Sequence, residues 1–399
     1  MGNLRLRSHG KQRRLRSRDN FRPSTMDHRP WTIDHRPSTW GLSVTYVLGV
    51  DAGNTKTIAL VAGRDGAIAG AGRGGCGDIY DTTHVYGDRS PVAVAAAALA
   101  SVEGAVRDAL GAAGVAPSAL DAGAFNMAGA DWPEDYDYLR AAMERRGFGR
   151  RVVVVHDSIG ALRAGSPDGT GVAVACGTGA AIGARAPDGR VWHTSFWQEA
   201  QGGHELGKKT LRAVYRAELG IDPPTTLTRR VLDFYAQRRV KDVEGVLRLF
   251  TAREGAPPRD VSRLAPLLTD EARRGDATAR RIVRDQGSGL GDYALVAARR
   301  VGIEGTPFTL VLTGGVLREP SSLLMEAIIA RVHTTSPKAR PVQSRFEPAV
   351  GALLLALEAW GITIDEPLLE TLTATLPPSS FFATHGREGA PSVTHGVNA

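Results

Sequence analysis

The chain has 399 residues, 42% of them hydrophobic and 23% charged, the mix of a folded globular protein long enough to bury two cores. Its formal charge of +7 resides wholly in residues 1–40, where ten Arg or Lys stand against three Asp, so the remainder is neutral and lacks the broad basic footprint of a nucleic-acid binder. No apolar run approaches the roughly 20 residues of a bilayer span, and two distant cysteines, Cys76 and Cys176, make neither a zinc cluster nor a disulfide scaffold. No nucleic-acid or membrane partner is expected, and the cytoplasm is the default location.

Residues 1–43 read as a disordered basic extension in which "FRPSTM", "DHRPWTI" and "DHRPSTW" recur without apolar periodicity. A start codon assigned too early, a basic interaction arm and a targeting segment all remain open for it. Regular structure begins near Val44: "VTYVLGVD", "TIALVAGR" and "GAIAGAGRG" are three strands, parted by "AGNTK" and by the hairpin signal "DG". The Ala-rich stretch after Ser90 and Pro91 predicts a capped helix. "DAGAFNMAG" predicts a strand, "PEDYDYLRAAMERRG" a helix, and "RRVVVVHD" a parallel strand buried on both faces.

The pattern then restarts. "GTGVAVACGTGAAIGARAPDGRVW" repeats strand, Gly/Thr turn, strand, DG turn, strand. Helices follow from about Glu205 to Val301, then a strand in "TPFTLVLTGG", a helix in "REPSSLLMEAIIARVH", a short strand in "ARPVQS" and a closing helix in "EPAVGALLLALEAWG". One α/β unit therefore occurs twice, a domain duplication, and two phosphate-type turns imply a cleft that closes on a nucleotide.

In "GVDAGNTKT", Gly53 allows close backbone approach to an anion while Asn54, Thr55 and Lys56 lie in the same turn, with the Thr55 hydroxyl as a phosphate donor. Asp51 cannot usefully touch phosphate but suits hydrated Mg²⁺; a plain Asx-type hairpin is the competing reading. Gly177, Thr178 and Gly179 form the matching turn. Gly314 and Gly315 end an apolar strand and would let a flat adenine lie on backbone, unless they are an ordinary strand-to-helix loop.

"VDAGNTKT", "CGTGAAIG", "VLTGGV" and "EPAVGALLLAL" resemble, in order, the two phosphate motifs, the adenosine motif and the closing helix of the actin/sugar-kinase/heat-shock ATPase superfamily. Within it the chain is similar to the N-acetylglucosamine kinase branch, grouped with BadF/BadG-type ATPases, over about residues 44–362. The resemblance implies two RNase H-like α/β domains around a nucleotide cleft, residues 44–168 with about 348–375, and 169–347; the Pro-, Ser- and Gly-rich composition after Leu376 predicts a flexible tail over 376–399. The resemblance also implies ATP and Mg²⁺. Asp131 of "FNMAGADWPED" maps to the catalytic acid, a general base for the attacking sugar hydroxyl, although Asp131 also suits a helix cap before Trp132-Pro133.

Asp78 falls where the family commonly has Asn; an ionised carboxylate only accepts hydrogen bonds, which makes glucosamine as fitting as N-acetylglucosamine. Asp157 matches the acid ending the fifth strand, with a helix cap as its alternative. His204 and Glu205 of "GGHELG" stand where the family has Gly-Asp-Glu-Gly-Ser, and would contact sugar. Trp192, Phe196 and Trp197 suit either a wall against a sugar face or core. The expected function is an ATP-dependent kinase for a hexose or amino sugar, and a homodimer is compatible with it. Two other classes stay open: a non-catalytic sugar or nucleotide sensor, and a dehydratase- or reductase-activating ATPase, for which Cys76 and Cys176 lack the iron–sulfur spacing.

Overall fold

A computed structural model describes residues 45–80, 90–251, 258, 260–318 and 322–383. The basic extension 1–43 and the chain beyond residue 383 lie outside the described residues.

The first unit opens with β1 (Tyr46–Ala52), β2 (Thr57–Gly63) and β3 (Ile68–Gly74), a meander whose second turn places Gly66 at φ +84°. Helix α1 (Pro91–Ala113) starts as predicted: the Ser90 hydroxyl accepts from Ala93 N and Pro91 fills the first turn. Strand β4 (Leu120–Met127) pairs parallel with β1. After α2 (Pro133–Arg145), β5 (Arg151–His156) pairs parallel with β4, giving the order β3-β2-β1-β4-β5. As the edge strand, β5 leaves Val152, Val153 and Val155 half-buried, so the fourfold Val run is not sealed on both faces as expected.

Helix α3 (Asp157–Gly165) leads into the second unit, whose strands β6 (Gly171–Cys176), β7 (Ala180–Arg185) and β8 (Val191–His193) repeat the meander. Five helices follow: α4 (Gly203–Glu218), α5 (Leu227–Tyr235), α6 (Val243–Phe250), α7 (Ala265–Arg274) and α8 (Ala277–Arg300). Strand β9 (Thr309–Thr313), α9 (Leu323–His333) and β10 (Arg340–Gln343) complete a sheet ordered β10-β9-β6-β7-β8. Both β6–β9 and β9–β10 are parallel. Strand for strand this is the first sheet again, so the expected duplication of an α/β unit is present.

Helix α10 (Pro348–Trp360) returns to the first sheet. There Val350, Leu353, Leu354 and Leu357 share one core with Val47, Ile58, Leu60 and Ala124. Its contact with α3 is made of bare backbone: a Cβ at Gly351 would lie 2.0 Å from the Gly160 carbonyl oxygen. Alternate glycines on β3 serve the opposite face, since a Cβ at Gly70, Gly72 or Gly74 would enter the backbone of α1. The expected flexible tail needs correction at its start. After α11 (Glu366–Ala374) the chain forms α12 (Ser379–Phe382), whose Phe382 is buried in the α10 core. The Arg73 guanidinium donates to the Phe381 and Ala383 carbonyls and the Lys56 ammonium to that of Phe382, so polar contacts also hold a segment whose composition suggested a coil.

Candidate active site

The chemistry-bearing residues gather at the carboxyl ends of the parallel strands, where open α/β sheets place their ligands. From β1 come Asp51 and the turn 53–56; from β4 the loop to Asp131; from β5 His156 and Asp157; from β6 the turn 177–179; and from β9 Gly314 and Gly315.

The two phosphate-type turns face each other. Thr55 Oγ1 lies 3.2 Å from Thr178 Oγ1, one hydroxyl from each sheet. On the second side Gly203 N and His204 N donate to the Gly177 and Thr178 carbonyls at 2.8 and 2.9 Å, so the first turn of α4 grips the turn 177–179. Gly314, at φ +99°, lies directly on the backbone of Cys176, and that contact explains its glycine. Three neighbours have no such reason. Among the described residues a Cβ at Gly177 or Gly315 would meet nothing within 4 Å, and one at Gly179 only the Gln201 side chain at 4.0 Å, all without positive φ. Glycines that neither packing nor backbone requires, lining one cleft, fit a group that must come close to main chain.

Asp51 sits partly inside this cleft. Burial, with Asp157 and Glu347 nearby and Lys56 only partly compensating, pushes its carboxyl up to about 7. Burial and Asp131 likewise raise Asp157, against the lowering pull of His156, and Asp157 Oδ1 accepts no hydrogen bond among the described residues. Two adjacent, poorly compensated carboxylates suit a hard divalent cation with oxygen ligands. Lys56 is committed elsewhere, to the Phe382 carbonyl, and its burial lowers its pKa. It therefore tethers α12, a partner that the turn sequence around it does not suggest.

At the inner end, Asp131 is 8% exposed. The expected helix-capping role does not fall to it: Trp132 is the N-cap of α2, and the Asp135 carboxylate accepts from Asp131 N and Trp132 N at 3.1 and 2.8 Å. Asp131 Oδ1 instead accepts from Ser195 Oγ at 2.7 Å and lies 3.4 Å from His156 Nε2. His156 Nδ1 accepts from Ser158 N at 3.3 Å and stands 3.2 Å from Asp157 Oδ1. The N-cap of α3 is thus His156, not Asp157, and its imidazole stands between the acid at the β4 loop and the acid near Asp51. Burial favours the neutral ring, but Asp157, Asp131 and Asp78 together outweigh it and raise the His156 pKa. Asp78 is 2% exposed, with Oδ1 accepting from Tyr80 N at 2.9 Å.

Sequence reasoning missed three partners. His193 stacks on His156 with ring centroids 4.1 Å apart and planes 3° from parallel, and its Nε2 lies 3.0 Å from the Tyr136 hydroxyl. Ser195 reaches Asp131 with φ +46°, a backbone state uncommon outside glycine. All three contacts cross from one sheet to the other. The available signal was the duplication: His193 ends β8 and Ser195 follows it, as the Asp78 loop follows β3. Asp131, His156 and His193 bring ligand atoms within 4.8 Å of one another, but face-to-face imidazoles cannot both aim an in-plane lone pair at one ion, which argues against a metal held by these three. Phe196 packs on Trp132 and Tyr80 at 6.1 and 5.5 Å, a partly exposed aromatic group, whereas Trp192 packs on the second core with Arg300 over its ring. Exposed His204 and half-buried Glu205 begin α4, beside the turn 177–179. Both cysteines are buried, and burial pushes the Cys176 thiol up to about 12, the opposite of a reactive or ligating thiolate.

The sequence profile of the BadF/BadG/BcrA/BcrD ATPase family matches residues 48–356. The chain belongs to this family. It is similar to the N-acetylmuramic acid/N-acetylglucosamine kinase of Clostridium acetobutylicum, 22% identical over 315 residues covering 78% of this chain and 98% of the relative. The N-acetyl-D-glucosamine kinase of Dictyostelium discoideum is 25% identical over 240 residues, 58% of this chain and 74% of that one. A Chromobacterium violaceum structure described as a candidate N-acetylglucosamine kinase shares the fold, with a TM-score of 0.55 and 24% identity, over 79% of this chain and 100% of its own. Among the described residues no helix is long and apolar enough to cross a membrane.

Proposed function

We propose that this BadF/BadG-type ATPase transfers the γ-phosphoryl group of ATP to a hydroxyl of a hexose or amino sugar, with Asp131 as general base. The observation that carries this reading is a continuous line of groups across the cleft. Thr55 and Thr178 face each other at 3.2 Å, Asp51 adjoins Asp157, and His156 stands between Asp157 and the inner Asp131. The two curated relatives named above act on N-acetylated amino sugars, which agrees with it.

In this assignment Gly53, Asn54, Thr55, Gly177, Thr178 and Gly179 hold the phosphates, with the N-terminus of α4 beside them, and Gly314 and Gly315 back the adenosine. Asp51, supported by Asp157, would hold Mg²⁺, whose charge would offset that developing in the transfer. Asp131 accepts the proton of the sugar hydroxyl, while His156, 3.4 Å away through Nε2, helps to hold that carboxylate in place. Asp78 accepts from a hydroxyl or a free ammonium, and the Trp132–Phe196 pair offers an apolar face to the sugar ring. The lobes 44–168 with 348–375, and 169–347, close on both substrates and exclude water as a competing acceptor.

The test is ADP release with Mg-ATP against glucosamine, N-acetylglucosamine, glucose and a no-sugar blank, with Asp131→Asn alongside. Sugar-dependent release should drop by a factor on the order of 10²–10⁴ in the variant while nucleotide binding persists. Sugar-independent release, or an unaffected Asp131→Asn, rejects the assignment.

A further inference from the structure

We propose that, when no sugar occupies the cleft, Ser195 is itself the phosphoryl acceptor, and the protein modifies its own Ser195 from ATP. This rests on the assignment of Asp131 as base. A general base must lie within about 2.6–3.2 Å of the oxygen it deprotonates, and Ser195 Oγ donates to Asp131 Oδ1 at 2.7 Å. That is the relation required of an attacking sugar hydroxyl, already made by a hydroxyl of the chain.

The placement is built, not incidental. Ser195 is one of two non-glycine residues with positive φ among the described residues. The turn that imposes this is fixed on both sides. Thr194 N donates to the Ile182 carbonyl at 2.9 Å, Trp197 N donates to the Thr194 carbonyl at 3.0 Å, and Thr194 Oγ1 donates to Gln198 Oε1 at 2.6 Å. Ser195 follows β8 on the second sheet, while Asp131 follows β4 on the first, so hydroxyl and base meet only with the lobes together. Ser195 also remains half-buried, open enough to the cleft to be reached.

In the step, the bond between the γ-phosphorus and the β,γ-bridging oxygen of ATP breaks as the Ser195 Oγ–phosphorus bond forms. The hydroxyl proton passes to Asp131 and ADP leaves. A bound sugar must displace Ser195 from Asp131 to present its own hydroxyl, so substrate and self-modification compete. Phosphoserine carries a charge of about −2 and cannot remain against the Asp131 carboxylate, so the modified protein loses this contact between lobes and the access of sugar to its base. Self-modification would silence the protein when ATP is present and sugar is absent.

The experiment incubates the full chain with Mg-[γ-³²P]ATP, with and without N-acetylglucosamine, and follows covalent label, intact mass and ADP release. The expected result without sugar is one phosphoryl group per chain (about 80 Da) on Ser195, recovered in the tryptic peptide 191–208, with parallel loss of sugar-dependent ADP release. Saturating sugar should slow labelling at least about tenfold, because both acceptors need the same base. Asp131→Asn keeps the hydroxyl and should lose labelling by a factor on the order of 10²–10⁴. Ser195→Ala should take no label, nor should Ser195→Gly, which suits the positive φ and shows by an unchanged melting temperature that the fold is intact. A wild type that turns over sugar but stays unlabelled overturns this proposal alone. So does label that survives in Ser195→Gly or is insensitive to Asp131→Asn. A protein showing neither labelling nor sugar turnover overturns the kinase assignment, and this proposal with it.

Discussion

Replacing Asp51 by Asn separates two demands on one carboxylate. Burial first, then Asp157 and Glu347, push its pKa from 3.8 to about 7. Between about pH 4 and pH 7 the folded state therefore retains a proton that the unfolded chain has released. By linkage, stability of the metal-free protein falls as pH rises through that window, and the whole penalty stands above it. Each tenfold change in proton affinity is worth about 1.4 kcal/mol, which sets a ceiling of about 4 kcal/mol; because Asp51 still faces the cleft the penalty is nearer 1–3 kcal/mol. Asn keeps the shape without the charge. In EDTA, Asp51→Asn should raise the melting temperature by a few degrees at pH 8 and hardly at all at pH 4. With saturating Mg-ADP the order should invert, since the cation needs the ionised carboxylate and stabilises by its affinity for the folded state. The assay is thermal melting of both proteins from pH 4 to 8.5 in each condition. A variant that is no more stable than wild type at pH 8 in EDTA, or that Mg-ADP protects equally, refutes the reasoning.

His156 has the opposite charge with the same pH sense. Its pKa is raised, so its stabilising contribution is fully present below the ordinary imidazole value and is lost as pH rises through the folded one; His156→Gln should destabilise most near pH 5 and least near pH 9, read from paired melts. Gly351→Ala must part α10 from α3, because the clash is with the Gly160 carbonyl; a loss of about 2–3 kcal/mol in urea unfolding is expected, and a neutral result would mean that the two helices do not touch there. Phe382→Ala should cost about 3 kcal/mol and make cleavage after Leu376 measurable in limited proteolysis, since Phe382 fills part of the α10 core.

What the sequence disclosed, and what it withheld, follows from the range of the interactions. Both meanders were legible because Gly66 and Gly189 turn the chain within two residues, and Gly70, Gly72 and Gly74 write the closeness of α1 into an alternating pattern. Thr55 and Thr178 were found from their turns, although 123 residues separate them, because each half of the duplication carries its own local signature. Lys56 went astray for the converse reason: its carbonyl partner is 326 residues away, and nothing around Lys56 or Phe382 encodes the pairing. The same holds for the contacts between lobes at Asp131. No spacing rule joins Ser195 to an acid 64 positions earlier, or His193 to the hydroxyl of Tyr136 on α2 of the first unit. They follow from the symmetry of the fold, which sets the loop after β8 opposite the loop after β4 once the phosphate turns meet. A cleft built this way brings groups of both units onto Asp131 at once, and those contacts between units are the ones that local sequence is least able to reveal.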